Sequence, residues 1–373
     1  MHDDPDMRRR RCYVKRVADD RAADMQCAVS VSGAVEAVGA RHCTFDHCTV
    51  AHAGNYGIAL GRGCSDSEIT HCTFYDLGGG GIKLGTQRAD DAPLSGHNRI
   101  TDCEISQIGR QFHAAVGIWL GETGNNTVAH NSVHDSYYSG ISVGWTWGYQ
   151  DTGVQNNLLE RNHVYDIGRG WLYDMGGIYL LGRAPGTIVR YNKIHHIRSD
   201  DAGAVGLYFD EGSSNVVGEY NLVYRVQGDS FHQNYGEENI LRNNIFAFGT
   251  RSQLARGRED GGMYFTAEQN IIYYEEGELL GWRWTDGNWR MRANLYWDCG
   301  DREMSFAGWS WKEWRARGND DCGLTADPEF ADPRGGDFSL RPGSPAFSIG
   351  FIPFDISDVG PRGQSGAGRI EDA

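Results

Sequence analysis

The tetrapeptide His-Cys-Thr-Phe occurs at His42 to Phe45 and again at His71 to Phe74, and the pattern behind it runs on through most of the chain. Written as a small or polar residue, a spacer, and a β-branched or aromatic residue, it reads Cys43-x-Phe45, Cys72-x-Phe74, Cys103-x-Ile105, Asn131-x-Val133 and Asn162-x-Val164. It continues as Asn192-x-Ile194, Asn221-x-Val223, Asn243-x-Ile245 and Asn270-x-Ile272. Subtracting successive first positions gives steps of 29, 31, 28, 31, 30, 29, 22 and 27 residues, the mark of a stacked repeat.

A second series keeps phase with the first: Gly57-Ile-Ala-Leu, Gly81-Ile-Lys-Leu, Gly117-Ile-Trp-Leu, Gly140-Ile-Ser-Val, Gly177-Ile-Tyr-Leu and Gly206-Leu-Tyr-Phe. Each coil therefore holds at least two short strands with period-two alternation, separated by Gly or Asn turns. No helical periodicity of the kind that leucine-rich or tetratricopeptide arrays need accompanies them. These features predict an all-β, right-handed parallel β-helix.

Asn tolerates left-handed backbone and carries an amide able to bond to the next coil, so Asn131, Asn162, Asn192, Asn221 and Asn243 are expected to form an internal ladder. Cys43, Cys72 and Cys103 occupy the same slot earlier and read as packing. There is no Cys-x-x-Cys, and nine cysteines in 373 residues do not suggest a disulfide framework.

The expected organisation is a polar, disordered leader over 1–28, coils over 29–275, a capping region over 276–360 and a tail over 361–373. Ser310-Trp-Lys-Glu313 is a capping-box pattern for a short helix that Gly318 would close. Barely 28 polar residues precede the first coil, too few to cover a β-helix mouth, so an upstream portion is expected. Neither a signal peptide nor a membrane-spanning stretch is visible. A net charge of −15 argues against nucleic-acid or anionic-membrane partners and suits a neutral one.

In each coil the residue after Gly-Ile points outward, which places Trp119, Ser142, Tyr179, Tyr208 and, from Phe231-His-Gln, His232 along one face. Such a row can simply be a surface ladder that stiffens the sheet. It also suits a sugar, whose C–H faces pack on aromatic rings.

Acids cluster beside the row. Asp174 precedes one strand, and Asp210 and Glu211 end the corresponding strand of the next coil. Glycosyl transfer to water needs one protonated and one ionised carboxyl, so Asp174 and Asp210 form the candidate pair, with Glu211 a close third. On a straight strand the two aspartates would stand several residues apart, so a bend at Gly176-Gly177 is expected. His232 could orient a carboxylate or bind a hydroxyl. His113, Glu122, Tyr138, Trp145, Trp147 and Trp171 are candidates for substrate contacts from neighbouring loops. His195-His196 point to opposite sides of a strand and Asp200-Asp201 resemble a solvated turn, so no metal or cofactor is expected.

The motifs Gly140-Ile-Ser-Val-Gly-Trp-Thr-Trp-Gly148, Asp174-Met-Gly-Gly-Ile-Tyr179, Asp210-Glu-Gly-Ser-Ser214, Phe231-His-Gln-Asn-Tyr-Gly236 and Arg242-Asn-Asn-Ile-Phe246 resemble glycoside hydrolase family 141, as does the ending Ala326-Asp-Pro-Glu-Phe330, Asp337-Phe-Ser-Leu340 and Ser344-Pro-Ala346. The resemblance covers about residues 29 to 360. It implies a pectin-lyase-like β-helix that hydrolyses plant cell-wall glycans, α-L-fucosidase or xylanase in type. It also implies a secreted or periplasmic monomer acting on an oligo- or polysaccharide, with catalytic aspartates at Asp174 and Asp210. Members carry a substantial N-terminal part ahead of these coils. Ala204-Val205 departs from the aromatic that precedes the Gly-Leu-Tyr strand in members, which bears on a subsite.

Two other functions fit the same coil. A polysaccharide lyase or uronan epimerase needs a strong base and cations for the uronate; the chain has four Lys, although Arg110, Arg169, Arg183 and Arg198 could serve. A non-catalytic carbohydrate-binding β-helix would need the aromatic row without the acids.

Overall fold

The computed structural model describes residues 25–88, 94–201 and 203–363. Thirty-one of its strands stack into three parallel sheets of 10, 10 and 11 strands. In each coil the chain passes through a front sheet, a side sheet and a back sheet in turn, as in Tyr56–Leu60, Glu68–Thr70 and Thr73–Tyr75, and then begins the next coil at Ile82–Leu84. This is the expected right-handed parallel β-helix. Among the described residues no helix is long and apolar enough to cross a membrane.

The inward rows explain the Gly-Ile repeat. Ile118, Ile141, Ile178 and Leu207 pair in register down the front sheet and are fully buried, each worth about 2 kcal/mol of apolar transfer. The preceding glycine lets the back sheet pack close. A Cβ at Gly177 would lie 2.4 Å from Ile194, and one at Gly206 would lie 2.2 Å from Val223.

The ladder forms, with one change of register. Asn131, Asn162, Asn192, Asn221, Asn244, Asn270 and Asn294 each donate from Nδ2 to the next side chain at 2.9–3.0 Å, and Asp320 ends the series. The rung is Asn244 and not the expected Asn243, because Val223 pairs with Phe246. Asn243 takes the left-handed turn position (φ 55°) just outside and bonds to Ile352. The first repeat shifts as well. Phe45 pairs with Ile69 in the side sheet, whereas Phe74 belongs to the back sheet opposite Val50, so Cys48 and not Cys43 precedes Cys72. Cys72 and Cys103 are buried in the core as expected.

Parallel stacking continues beyond 275 through Trp289–Arg292 and Leu295–Asp298, so the coils reach into the expected cap. The cap helix is Trp311–Ala316, with the full Ser310/Glu313 capping box. Residues 350–362 then run back along the outside turns. Gly350 meets Gln269, Phe354 packs on Tyr191 and Tyr220, Asp358 pairs with Arg161, and Arg362 clamps Asp102 through two guanidinium bonds of 2.7 and 2.8 Å and one from its backbone N–H at 3.0 Å. Of the expected leader, residues 1–24 lie outside the described residues. The rest departs from expectation: Cys27 and Ala28 are ordered and buried.

Candidate active site

Sheet register sets the outward row as Lys83, Trp119, Ser142, Tyr179, Tyr208, His232 and Ala255, one residue per coil. The acids flank it from opposite ends of adjacent strands. Asp174 sits in a left-handed turn (φ 55°) just before Met175–Leu180, and Asp210 directly follows Ala204–Phe209. Met175 pairs with Ala204 and Leu180 with Phe209, so the backbone offset between the two aspartates remains.

Side chains reaching across that offset, not the expected bend, link the two acids. The Tyr208 hydroxyl donates to Asp174 Oδ1 at 3.0 Å. Tyr179 donates to Asp210 Oδ2 at 2.5 Å, and Asn234 donates to Asp210 Oδ1 at 2.8 Å. Burial, reinforced by the two aspartates, pushes both tyrosine hydroxyls well above their ordinary pKa, so they stay protonated as donors. The tyrosine rings meet edge to face at 5.1 Å.

Glu211 faces another set of partners, Tyr235 at 3.1 Å and Arg258 at 3.1 Å. Its charge is therefore committed to an ion pair.

His232 extends the row beyond Tyr208, with ring centroids 5.2 Å apart. Its Nδ1 lies 2.8 Å from Asp229 Oδ2. Burial would raise the Asp229 carboxyl, but hydrogen bonds from Arg251 and His232 outweigh it and hold the group below the usual range. Asp229 escaped the sequence reading because residues three apart fall on opposite faces of a regular strand. Trp282 escaped it too, since the repeat has decayed there. It is 59% exposed with φ 71°, and its ring meets His232 at 5.7 Å and the Arg251 guanidinium at 5.1 Å.

The other expected contact residues divide by exposure. Trp147 is open to solvent and stacks edge-on against Trp145, which is buried against Trp119. Tyr138 is buried and donates to the Asp174 backbone carbonyl at 2.7 Å, so it positions the turn. His113 is buried against Tyr137 and the exposed Trp171. Glu122, expected on a loop, is fully buried, accepts from Thr146, and has its pKa raised by burial.

A cavity of ≈ 450 Å³ lined by Trp282, Trp284, Asp298 and Arg302 adjoins the far end of the row. Another of ≈ 340 Å³ lies among His196, Arg225, Phe248 and Arg334, at residues of the back sheet and its turns. Asp46, His47 and His71 bring three possible metal-ligand atoms within 4.8 Å of one another, on the turn between side and back sheets and away from the aromatic row.

The right-handed beta helix region family matches residues 33–177 and, overlapping them, 94–249. The chain belongs to the right-handed β-helix family. Among curated proteins, none matches its sequence. Of solved structures, this β-helix protein is similar to one described as a glycoside hydrolase, at 24% identity and TM-score 0.51 over 57% of this chain and 38% of that one. It is also similar to a lacto-N-biosidase of glycoside hydrolase family 136 from Eubacterium ramulus, at 15% identity and TM-score 0.43 over 65% and 41% of the two chains. The chain thus spans well under half the length of either relative, and at these identities the likeness is one of fold.

Proposed function

We propose that this β-helix protein is a glycoside hydrolase acting outside the cytoplasm on plant cell-wall-type polysaccharide, α-L-fucosidase- or xylanase-like, with Asp174 and Asp210 as its carboxylate pair. The observation that carries this reading is that two tyrosines packed edge to face at 5.1 Å each hold one carboxylate, Tyr208 donating to Asp174 and Tyr179 to Asp210. Both side chains that fix Asp210, Tyr179 and Asn234, donate to it, which suits the acceptor-only carboxylate that attacks the anomeric carbon or activates water. Asp174 then supplies the proton that the leaving glycosidic oxygen takes up as its bond to the anomeric carbon breaks.

The Asp229–His232 pair favours a second reading, a lyase, because it supplies an oriented base. Against it, the two arginines beside the row are already committed, Arg251 to Asp229 and Arg258 to Glu211, and an uronate carboxylate would have to compete for them. A purely binding β-helix gives no reason for two carboxylates to be held by adjoining tyrosines.

The test is reducing-sugar release, with parallel ultraviolet monitoring, from fucosylated pectin fragments, xylan and aryl glycosides. Release that falls by about 10³-fold or more in both Asp174→Asn and Asp210→Asn, without ultraviolet gain, supports the hydrolase. Ultraviolet gain from an unsaturated product transfers the assignment to a lyase, and no turnover at all transfers it to a binding module.

A further inference from the structure

We propose that the segment from Gln26 to Val31 closes one end of the aromatic row, so that the site takes the terminal residue of a glycan chain and excludes its interior. The proposal rests on the hydrolase reading for its chemistry but on separate residues for its geometry.

The segment crosses the outer side of the front sheet and is tied to successive members of the row. Lys83 Nζ donates to the carbonyls of Val29 and Val31 at 2.7 and 2.8 Å. The Cys27 thiol meets Ser142 Oγ at 3.7 Å. The Gln26 amide reaches the hydroxyls of Tyr138 at 3.1 Å and Tyr179 at 3.4 Å. Tyr56 donates to the Cys27 carbonyl at 2.5 Å, and Cys27 forms a parallel bridge with Ala115. Trp119 and Ser142 are 1% and 0% exposed beneath it.

This is a built wall. Cys27 and Ala28 adopt successive left-handed conformations (φ 58° and 45°), which residues with a Cβ hold only where the surroundings fix them. Among the described residues the wall reaches as far as Tyr179, the tyrosine that bonds Asp210, so a chain lying along the row meets Gln26 next to these acids. In the other direction the row runs past Tyr208 and His232 to the exposed indole of Trp282 and the cavity beyond. A cleft that, among the described residues, is walled on one side of its acids and not on the other binds one sugar at the dead end and lets the rest of the chain leave over Trp282.

The experiment follows products from end-labelled pectin- and xylan-derived oligosaccharides of graded length. The expected result is a single terminal residue as the first product at every length; fragments from mid-chain among the first products overturn the proposal. In the double variant Gln26→Gly/Lys83→Met, with folding checked by its thermal midpoint, the share of mid-chain fragments rises about 10-fold or more. An unchanged pattern in a folded variant removes this segment as the cause. Absence of any cleavage by the parent chain counts against the hydrolase alone. Calorimetric titration with the same oligosaccharides then decides the closure: binding lost on blocking one particular terminus supports it, and equal binding with either terminus blocked overturns it.

Discussion

The Tyr208 hydroxyl lies 3.0 Å from the Asp174 carboxylate, although the two residues are 34 apart in sequence and on different coils. Tyr179, packed edge to face on Tyr208 at 5.1 Å, donates to Asp210 in turn, and the Tyr208–Asp174 bond is this tyrosine pair's link to the second acid. Tyr208→Phe removes that link while keeping the ring that packs against Tyr179 and His232. The expected outcome is a fall in kcat of about 10- to 100-fold with KM little changed, read from steady-state kinetics on the best substrate of the panel. A KM effect alone would make Tyr208 a binding residue only.

The asparagine ladder should be costly to break from inside and cheap from outside. Asn192→Ala leaves the Asn162 backbone and side-chain N–H groups without their acceptor and takes one donor each from the Leu159 carbonyl and Asn221 Oδ1, all buried. A loss of about 2–4 kcal/mol is expected in urea unfolding. Asn243→Ala touches only the turn and its bonds to Ile352, and about 1 kcal/mol is expected. Equal losses would mean that the ladder is not where coil-to-coil stability resides.

Acid should unfold the protein through two back-sheet histidines. His163 and His195 share a 2.8 Å contact between their Nε2 atoms. Burial first, then the nearby Lys193 and His134, lowers the His163 pKa to about 4; burial and the neighbouring histidines lower that of His195 to about 2. In the unfolded chain both take up protons near 6.5, and in the folded chain they do not. Stability therefore falls as pH drops below about 6.5, by on the order of 1 kcal/mol per pH unit for each histidine, until His163 itself titrates near about 4. His195→Phe, which keeps the stack between Tyr165 and Tyr224, should roughly halve that slope between about pH 6 and pH 5. A slope unaffected by the substitution would remove these groups from the account.

The returning C-terminal segment is fastened chiefly by Arg362 on Asp102, whose carboxylate is buried. Burial alone would raise the Asp102 pKa, but Arg362 more than offsets it and holds the carboxyl below the usual range. That stability is present above the unfolded carboxylate pKa and is lost as pH falls through the lowered folded value. Arg362→Ala is expected to cost about 1–3 kcal/mol near neutral pH and progressively less as the pH falls through the lowered folded value. Thermal midpoints of both proteins across that range check it, and a pH-independent difference would point to lost packing instead.

The repeat by itself determined the architecture, because strand alternation and turn residues are local signals that recur once per coil. The same alternation set the row from Trp119 through Tyr208 to His232 before any coordinates, since only the residue after Gly-Ile can point outward. Local pattern could not fix what depends on register between coils. The shift from Asn243 to Asn244 turns on which residue Val223 pairs with. The displacement of Cys43 into the side sheet arises because each coil contains two similar turns. Nor could pattern show that Asp174 and Asp210, offset along their strands, are held by two adjoining tyrosines, that Asp229 backs His232, or that Gln26 stands against Tyr179. Those relationships follow from the reach of long side chains between coils and from a segment that crosses the sheet from outside it, and only the folded chain brings such groups within bonding distance.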